Sequence, residues 1–343
     1  MENPNIMKAV GFKTSLPVTA AESFVDFETA TPSPKGKDLL VKIKAIAVNP
    51  VDYKIRQNAA KDTTLAEPKI IGWDACGVVE AIGEEVSLFK VGDEVYYAGD
   101  ITRPGCNAEY QLIDERIVGK KPKSISYEAA AAMPLTSLTA WEILFDRIRI
   151  SQEKDKNKTI LILAGAGGVG SIAIQLAKKI AGLKVIATAS RPESINWCKK
   201  MGADVVVNHK NLVEEVKNAG FEYVDFILDF VDVNNYWDAM ADLIKPQGHI
   251  ASITGSATPV ALNKLKTKSA SFSWEFMYTR SSFQTEDMIE QHHILNKVSD
   301  LLDEGVVQHT LTETLNGLSA ANVKKAHAQL ESGTTIGKLA IKY

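Results

Sequence analysis

Cysteine is scarce in this chain. Its 343 residues include only Cys76, Cys106 and Cys198, an odd and widely scattered set that argues against a disulfide framework and for a reducing compartment. Long apolar runs are also missing. No segment approaches the ~20 consecutive apolar residues of a membrane-spanning helix, so no membrane partner is expected. The opening stretch MENPNIMKAVGF, with Met7 as a conceivable second start, lacks the charged and apolar blocks of a secretory leader. A cytoplasmic protein is the expectation. Nor is there an excess of one charge: 39 Lys and Arg stand against 42 Asp and Glu, a net charge of -3. That balance excludes the basic footprint of a nucleic-acid partner. Low-complexity tracts and solenoid repeats are absent as well. What is there is 45% apolar and 24% charged residues, ample for a large core. The length suggests about two domains of ~150 residues.

Residues 1 to about 125 read as β-rich, with strands at LLVKIKAIAVN (39–49), CGVVEAIG (76–83) and NAEYQLID (107–114). SLFKVGDEVYYAG (87–99) carries a Gly-Asp turn signal. Gly, Pro and Asp punctuate these runs closely, as in a small barrel or sandwich. A helical stretch, EAAAAMPLTSLTAWEILF (128–145), follows, and Pro134 must break or kink it. From residue 159 the rhythm changes. Strand-like runs at 159–165, 184–189, 204–208, 225–230, 248–253 and 269–274 alternate with helical stretches. Six such repeats predict a doubly wound, six-stranded parallel sheet. After residue 278 come a long helical segment and a terminal strand, GKLAIKY.

GAGGVG at 165–170 fits the G-x-G-x-x-G pattern through Gly165, Gly167 and Gly170. The spacing alone is weak, but the motif follows a buried strand and opens a helix with an apolar stripe. Glycine suits this place because a pyrophosphate must approach backbone N–H groups at a helix N-terminus, where a Cβ would block it. Gly165, Gly167, Gly168, Val169 and Gly170 are the candidate cradle; a tight turn without ligand is the plainer reading. An NAD enzyme places an acid at the end of the second strand for the ribose 2′-OH. Residues 171–192 contain none, and that strand ends Thr188-Ala189-Ser190-Arg191. A hydroxyl followed by a guanidinium suits a 2′-phosphate, so NADPH is the expected cofactor, with Ser190 and Arg191 as its readers. A plain exposed loop is the alternative for Arg191. His209, after the third strand, could border the adenosine. Phe230 and Val231, after the fourth strand, and Ile253, after the fifth, fall at the carboxyl ends where open α/β sheets receive ligands.

Taken together, the β-rich start, the later glycine motif and the C-terminal return resemble the medium-chain dehydrogenase/reductase superfamily over essentially the whole chain. VNPVDYKIR (48–56), GWDACGVVEAIG (72–83) and MPLTSLTAWEIL (133–144) carry the likeness. SFSWEFMYTRS (271–281) looks like the zinc-type alcohol dehydrogenase-like branch, related to quinone oxidoreductases and zeta-crystallin. The resemblance implies a GroES-like β-barrel catalytic domain (1–134 and 278–343) and a Rossmann NADP-binding domain (135–277). The zinc-dependent relatives carry Cys where this chain has Asn49, and His where it has Trp73; neither replacement can serve as a zinc ligand. Where their structural zinc lobe uses four Cys, AGDITRPGCNAEY offers only Cys106. No metal site is expected.

Without zinc, substrate polarisation falls to hydrogen-bond donors while the nicotinamide supplies hydride. That favours quinones or α,β-unsaturated carbonyl compounds over simple ketones or alcohols. The resemblance places Asn49 beside the nicotinamide and substrate, and Thr139 near the nicotinamide ring. Asp52 would fix the turn that holds Asn49. Tyr53 is a candidate donor or a wall residue, and Asp74 is as open between structure and catalysis. Trp274, Phe276 and Tyr278 could line a substrate cleft, a core or a subunit interface. The strand SASFSWEF would form a sheet edge, and the resemblance implies pairing across a two-fold axis, hence a homodimer. Two other functions stand beside the quinone or enone reductase. One is an enoyl-thioester reductase using Lys264, Lys266 and Lys268 at the cleft mouth; the other is a non-catalytic NADPH-binding protein.

Overall fold

The central strand of the N-terminal half, Asp38–Ala47, buries most of its apolar residues and is paired along both edges. In the computed structural model, which describes residues 6–343, it pairs antiparallel with Asp74–Ile82 along one edge. Its other edge is shared by Tyr110–Asp114, opposite residues 38–42, and by the C-terminal strand Lys338–Lys342, opposite residues 45–47. Leu39, Val41, Ala45 and Ile46 are buried. Residues 1–5 of the stretch read for a leader lie outside the described residues.

The chain divides into two units, one running to Leu135 and resuming as Tyr278–Tyr343, the other spanning Thr136–Met277. In the first, the sheet continues through Glu94–Tyr97 and Val118–Lys120 on one side and Leu311–Asn316 on the other. A separate three-stranded sheet holds Ile6–Phe12 between Val25–Ala30 and Lys69–Ile70. The helical stretch expected across 128–145 is broken where proline requires it. Tyr127–Ala131 ends first, Pro134 opens Pro134–Trp141, and a π-helix follows at Glu142–Arg147. At a first turn proline loses nothing, since its N–H would find no partner there.

The second unit is a six-stranded, all-parallel sheet. Its spatial order is Val205–Val207, Lys184–Thr188, Thr159–Ile162, Val224–Asp229, Ile244–Ser252 and Ser271–Trp274. In chain order that is 3-2-1-4-5-6, the doubly wound arrangement whose ligand crevice opens where the order reverses, at the carboxyl ends of the first and fourth strands. Leu161, Ile186, Ile227 and Ile250 are fully buried along these strands. Helix Gly168–Lys179 packs on them through Ile172, Ala173, Leu176 and Ala177.

Candidate functional site

Sheet register concentrates chemistry in the first unit. Ala47 lies opposite Asp74 on one side and opposite Ala340 on the other. Continuing the second pairing by two residues puts Lys338 across from Asn49. Three residues far apart in sequence thus meet just beyond the end of one strand. Asn49 is also the residue before helix Pro50–Asn58, whose first position is proline. Asp52, one turn in, accepts the Asn49 backbone N–H at 2.8 Å, and its own N–H returns to the Asn49 carbonyl at 2.9 Å. Both ends of the Asn49 peptide are therefore fixed.

The side chain is fixed as well. Asn49 Nδ2 donates to Asp74 Oδ2 at 2.9 Å, and its Oδ1 accepts from Lys338 Nζ. Lys338 also donates to the Val48 carbonyl at 2.9 Å and to Asp74 Oδ2 at 3.1 Å. Asp74 Oδ1 takes the Leu135 N–H at 2.8 Å. Asn49, Asp52, Asp74 and Lys338 are all buried. Burial pushes the Asp52 carboxyl from its ordinary 3.8 up to about 7, against the Asn49 N–H and the Lys338 charge. Burial raises Asp74 too, opposed first by Lys338 and then by the Asn49 amide and the Leu135 N–H. Asp52 Oδ1 has no hydrogen-bond partner.

This donor set does not suit zinc. Asn49 spends its oxygen on an ammonium, Trp73 offers an indole, and both Asp74 oxygens already accept bonds. An ammonium 3.1 Å from Asp74 would oppose a second cation there. Among the described residues no group of three or more His, Cys, Asp or Glu is arranged to hold a metal. Trp73 instead packs edge-on against buried Tyr278, with ring centres 6.4 Å apart. Tyr53 is half-buried and shares no hydrogen bond with Asn49, Asp74 or Lys338; burial and the charge of Glu331 raise its phenol.

The glycine turn of the second unit divides its glycines by task. A Cβ on Gly165 would meet Ala187 Cβ at 2.8 Å and Cys198 Sγ at 2.9 Å. One on Gly170 would meet the Ala164 carbonyl at 2.3 Å and the Gly165 backbone at 2.8 Å. These two glycines let helix and strand approach. Gly167 is different: its Cβ would meet only Ala164 O, at 3.4 Å, an ordinary contact. Its missing side chain is not required by protein packing, so it leaves room on the ligand side of a helix N-terminus. Together with Gly168 and Val169, which open the helix half-buried, the turn fits a dinucleotide pyrophosphate. Thr188 Oγ1 accepts the Ala164 N–H at 2.9 Å, so that hydroxyl holds the turn. Ser190 is exposed, and Arg191 Nη1 lies 3.3 Å from Glu193 in a solvent-facing pair.

At the carboxyl ends of the fourth and fifth strands, fully buried Asp229 ties two loops together. Its Oδ1 accepts the Val231 and Asp232 N–H groups at 2.9 and 3.1 Å. Its Oδ2 accepts the Ser252 and Thr254 hydroxyls at 2.7 and 2.8 Å. Phe230 and Ile253, one on each loop, are half-buried. Thr139 is buried in helix Pro134–Trp141. His209 lines a cavity of about 360 Å³ with Asn235 and Tyr236. Asn49, Asp52 and Tyr53 belong to the first unit, and all the expected cofactor residues to the second.

Sequence reasoning missed Lys338 and Asp229. The signal for Lys338 was a lysine opening an apolar terminal strand that ends in a second, exposed lysine, Lys342; nothing local announced Asp229. Two of the three lysines of NKLKTKS have partners within the protein. Lys264 pairs with Asp238 at 2.6 Å, and Lys268 donates to the carbonyls of Ala241, Asp242 and Ile244. Those carbonyls end helix Val233–Leu243, where a cation is favourable.

Residues 35–123 match the family model for an alcohol dehydrogenase GroES-like domain, and residues 168–291 the model for a zinc-binding dehydrogenase. A zinc-type alcohol dehydrogenase-like protein of Staphylococcus epidermidis is 45% identical over 98% of this chain and 99% of its own length. A 2-methylene-furan-3-one reductase of Solanum lycopersicum is 32% identical over 98% of this chain and 79% of its own. The crystal structure of Escherichia coli quinone oxidoreductase complexed with NADPH superposes with a TM-score of 0.81, at 25% identity, over 98% of this chain and 100% of that one. The chain belongs to the medium-chain dehydrogenase/reductase superfamily and is an oxidoreductase with a GroES-like domain and a Rossmann domain.

Proposed function

We propose that this chain is a zinc-independent, NADPH-dependent reductase of quinones or α,β-unsaturated carbonyl compounds. The observation that carries the reading is the locked Asn49 carboxamide. Its oxygen is taken by Lys338 and one N–H by Asp74, which leaves the second N–H to donate to a substrate oxygen. A donor of that kind stabilises the charge that builds on a carbonyl oxygen as hydride adds at the conjugated carbon. NADPH supplies the hydride when bound. This chain's residues hold its pyrophosphate on the Gly165–Gly170 turn, and Ser190 and Arg191 read its 2′-phosphate. The absence of an acid over residues 171–192 supports the phosphate over a free ribose hydroxyl. The phosphate competes with Glu193 for Arg191, at little cost for a solvent-facing pair.

The names of the tomato reductase and of the NADPH-bound quinone oxidoreductase fit the same reading. The thioester alternative would have to draw on Lys264 and Lys266, since Lys268 is held by three backbone carbonyls. A homodimer paired along Ser271–Trp274 remains part of the proposal: the strand is a sheet edge, and Trp274 is 48% exposed. The test follows NADPH absorbance with quinones, enones and enoyl thioesters. Oxidation with the first two is expected; tight NADPH binding without oxidation by any acceptor would point to a non-catalytic binding protein.

A further inference from the structure

We propose that Lys338 is a positioning residue that fixes which end of the Asn49 carboxamide faces a substrate. The inference rests on the reading of Asn49 given above and names the group on which that reading depends. An ammonium has three hydrogens, and Lys338 places all three within the protein, on Val48 O, Asn49 Oδ1 and Asp74 Oδ2. None is left for a ligand, so Lys338 acts through Asn49.

The two charges decide the amide's orientation. As it stands, the carboxamide oxygen faces the ammonium and its nitrogen faces the carboxylate. Turning the amide over would set its N–H groups against the ammonium and its oxygen against Asp74. Both contacts would then be repulsive in a place from which water is excluded, and neither charge could turn away. Lys338 is 3% exposed and Asp74 is 0% exposed. Their pairing also cancels the charges, which makes burial of either tolerable. Asp52 does not substitute for Lys338, because the bond it is given from Asn49 comes from the backbone. The strand register explains why the lysine comes from the C-terminus: the Lys338–Lys342 strand runs beside residues 45–47 on that edge.

Lys338→Met alone would strand a buried carboxylate and Asp74→Asn alone a buried ammonium, and either protein could fail to fold. The informative comparison is therefore wild type against Asp74→Asn/Lys338→Met. The double variant removes both charges at once and takes the lysine off the Asn49 oxygen. Each protein is first shown to be folded by its thermal transition. If Lys338 positions Asn49, kcat for a quinone or enone falls about twofold or more in the double variant, because only a fraction of the amides then present their N–H. The NADPH dissociation constant stays within about twofold, since the cradle lies in the other unit. Equal kcat in the two proteins would overturn the proposal. A wild-type enzyme that oxidises NADPH with no acceptor would instead overturn the functional reading. Lys338 would then be judged by the ¹⁵N side-chain amide signals of Asn49, assigned by their absence in Asn49→Ala. One fixed pair in the wild type and an exchanging pair in the double variant support the proposal; a fixed pair in both refutes it.

Discussion

Gly167 and Gly170 stand three residues apart in one turn, yet substitution by alanine should affect opposite properties. At Gly167 the backbone lies at φ -71° and ψ 176°, a conformation alanine adopts freely. Its new Cβ would touch only Ala164 O, at 3.4 Å. Stability of Gly167→Ala should be unchanged or about 0.4–1 kcal/mol higher, because the unfolded chain loses freedom. At Gly170 the Cβ would come within 2.3 Å of Ala164 O and 2.8 Å of the Gly165 backbone. Backbone cannot swing aside as a side chain can. Overpacking of this kind costs about 1–3 kcal/mol or more. Cofactor binding should respond in the other sense at Gly167. A methyl on the face a pyrophosphate approaches would lengthen at least one charge-assisted hydrogen bond, worth about 1.5–3 kcal/mol, or about 10- to 150-fold in affinity. Thermal denaturation without cofactor and fluorescence titration with NADPH measure the two effects separately. A Gly167→Ala protein that is fully stable and binds NADPH with wild-type affinity would refute the assignment of this turn.

Asp52 bears on pH. Its carboxyl, raised from 3.8 to about 7, stays protonated in the native state over a range where the unfolded chain releases the proton. The stability it contributes is present below pH 4 and is lost as pH rises to 7, up to about 4 kcal/mol. Asp52→Asn keeps the acceptor for the Asn49 N–H and should flatten the fall in melting temperature between pH 5 and 8; parallel pH profiles would count against it. Asp229→Ala removes the acceptor of two N–H groups and two hydroxyls. It should cost about 2–4 kcal/mol, and a melting temperature within a degree of wild type would show that the loops are held by other means. Arg191→Ala should weaken NADPH binding while leaving NADH almost unaffected, read as the ratio of their dissociation constants; equal losses for both would remove Arg191 from phosphate recognition.

Legibility followed the range of the interactions involved. The inner parallel strands of the second unit could be read directly because the buried part of each stands as its own apolar run. Val224–Asp229 and Lys184–Thr188 begin and end within a residue or two of the stretches read for them. Pro134 could be placed because its ring acts locally. Gly165, Gly167 and Gly170 formed a pattern, but only coordinates separate the two that packing demands from the one it does not. The Asn49 cluster was half visible. Asp52 lies one helical turn away, within reach of local rules, whereas Asp74 and Lys338 arrive through strand register. Lys338 is 289 residues distant in sequence from the carboxamide it holds, and a buried lysine runs against the composition rule for cores. Asp229 was hidden for a related reason, since its four partners come from two different loops.

The central claim is that hydride from NADPH reduces a conjugated carbonyl whose oxygen accepts a hydrogen bond from Asn49, with no metal involved. Its most direct test is the rate of NADPH oxidation, followed at its absorbance band, by chelator-treated wild-type and Asn49→Ala protein with a quinone and with an enone. The expected result is acceptor-dependent turnover in the wild type that survives chelation and falls about 10²-fold or more in Asn49→Ala, with NADPH affinity retained. Turnover that vanishes on chelation and returns with zinc, or that persists undiminished in Asn49→Ala, would contradict it.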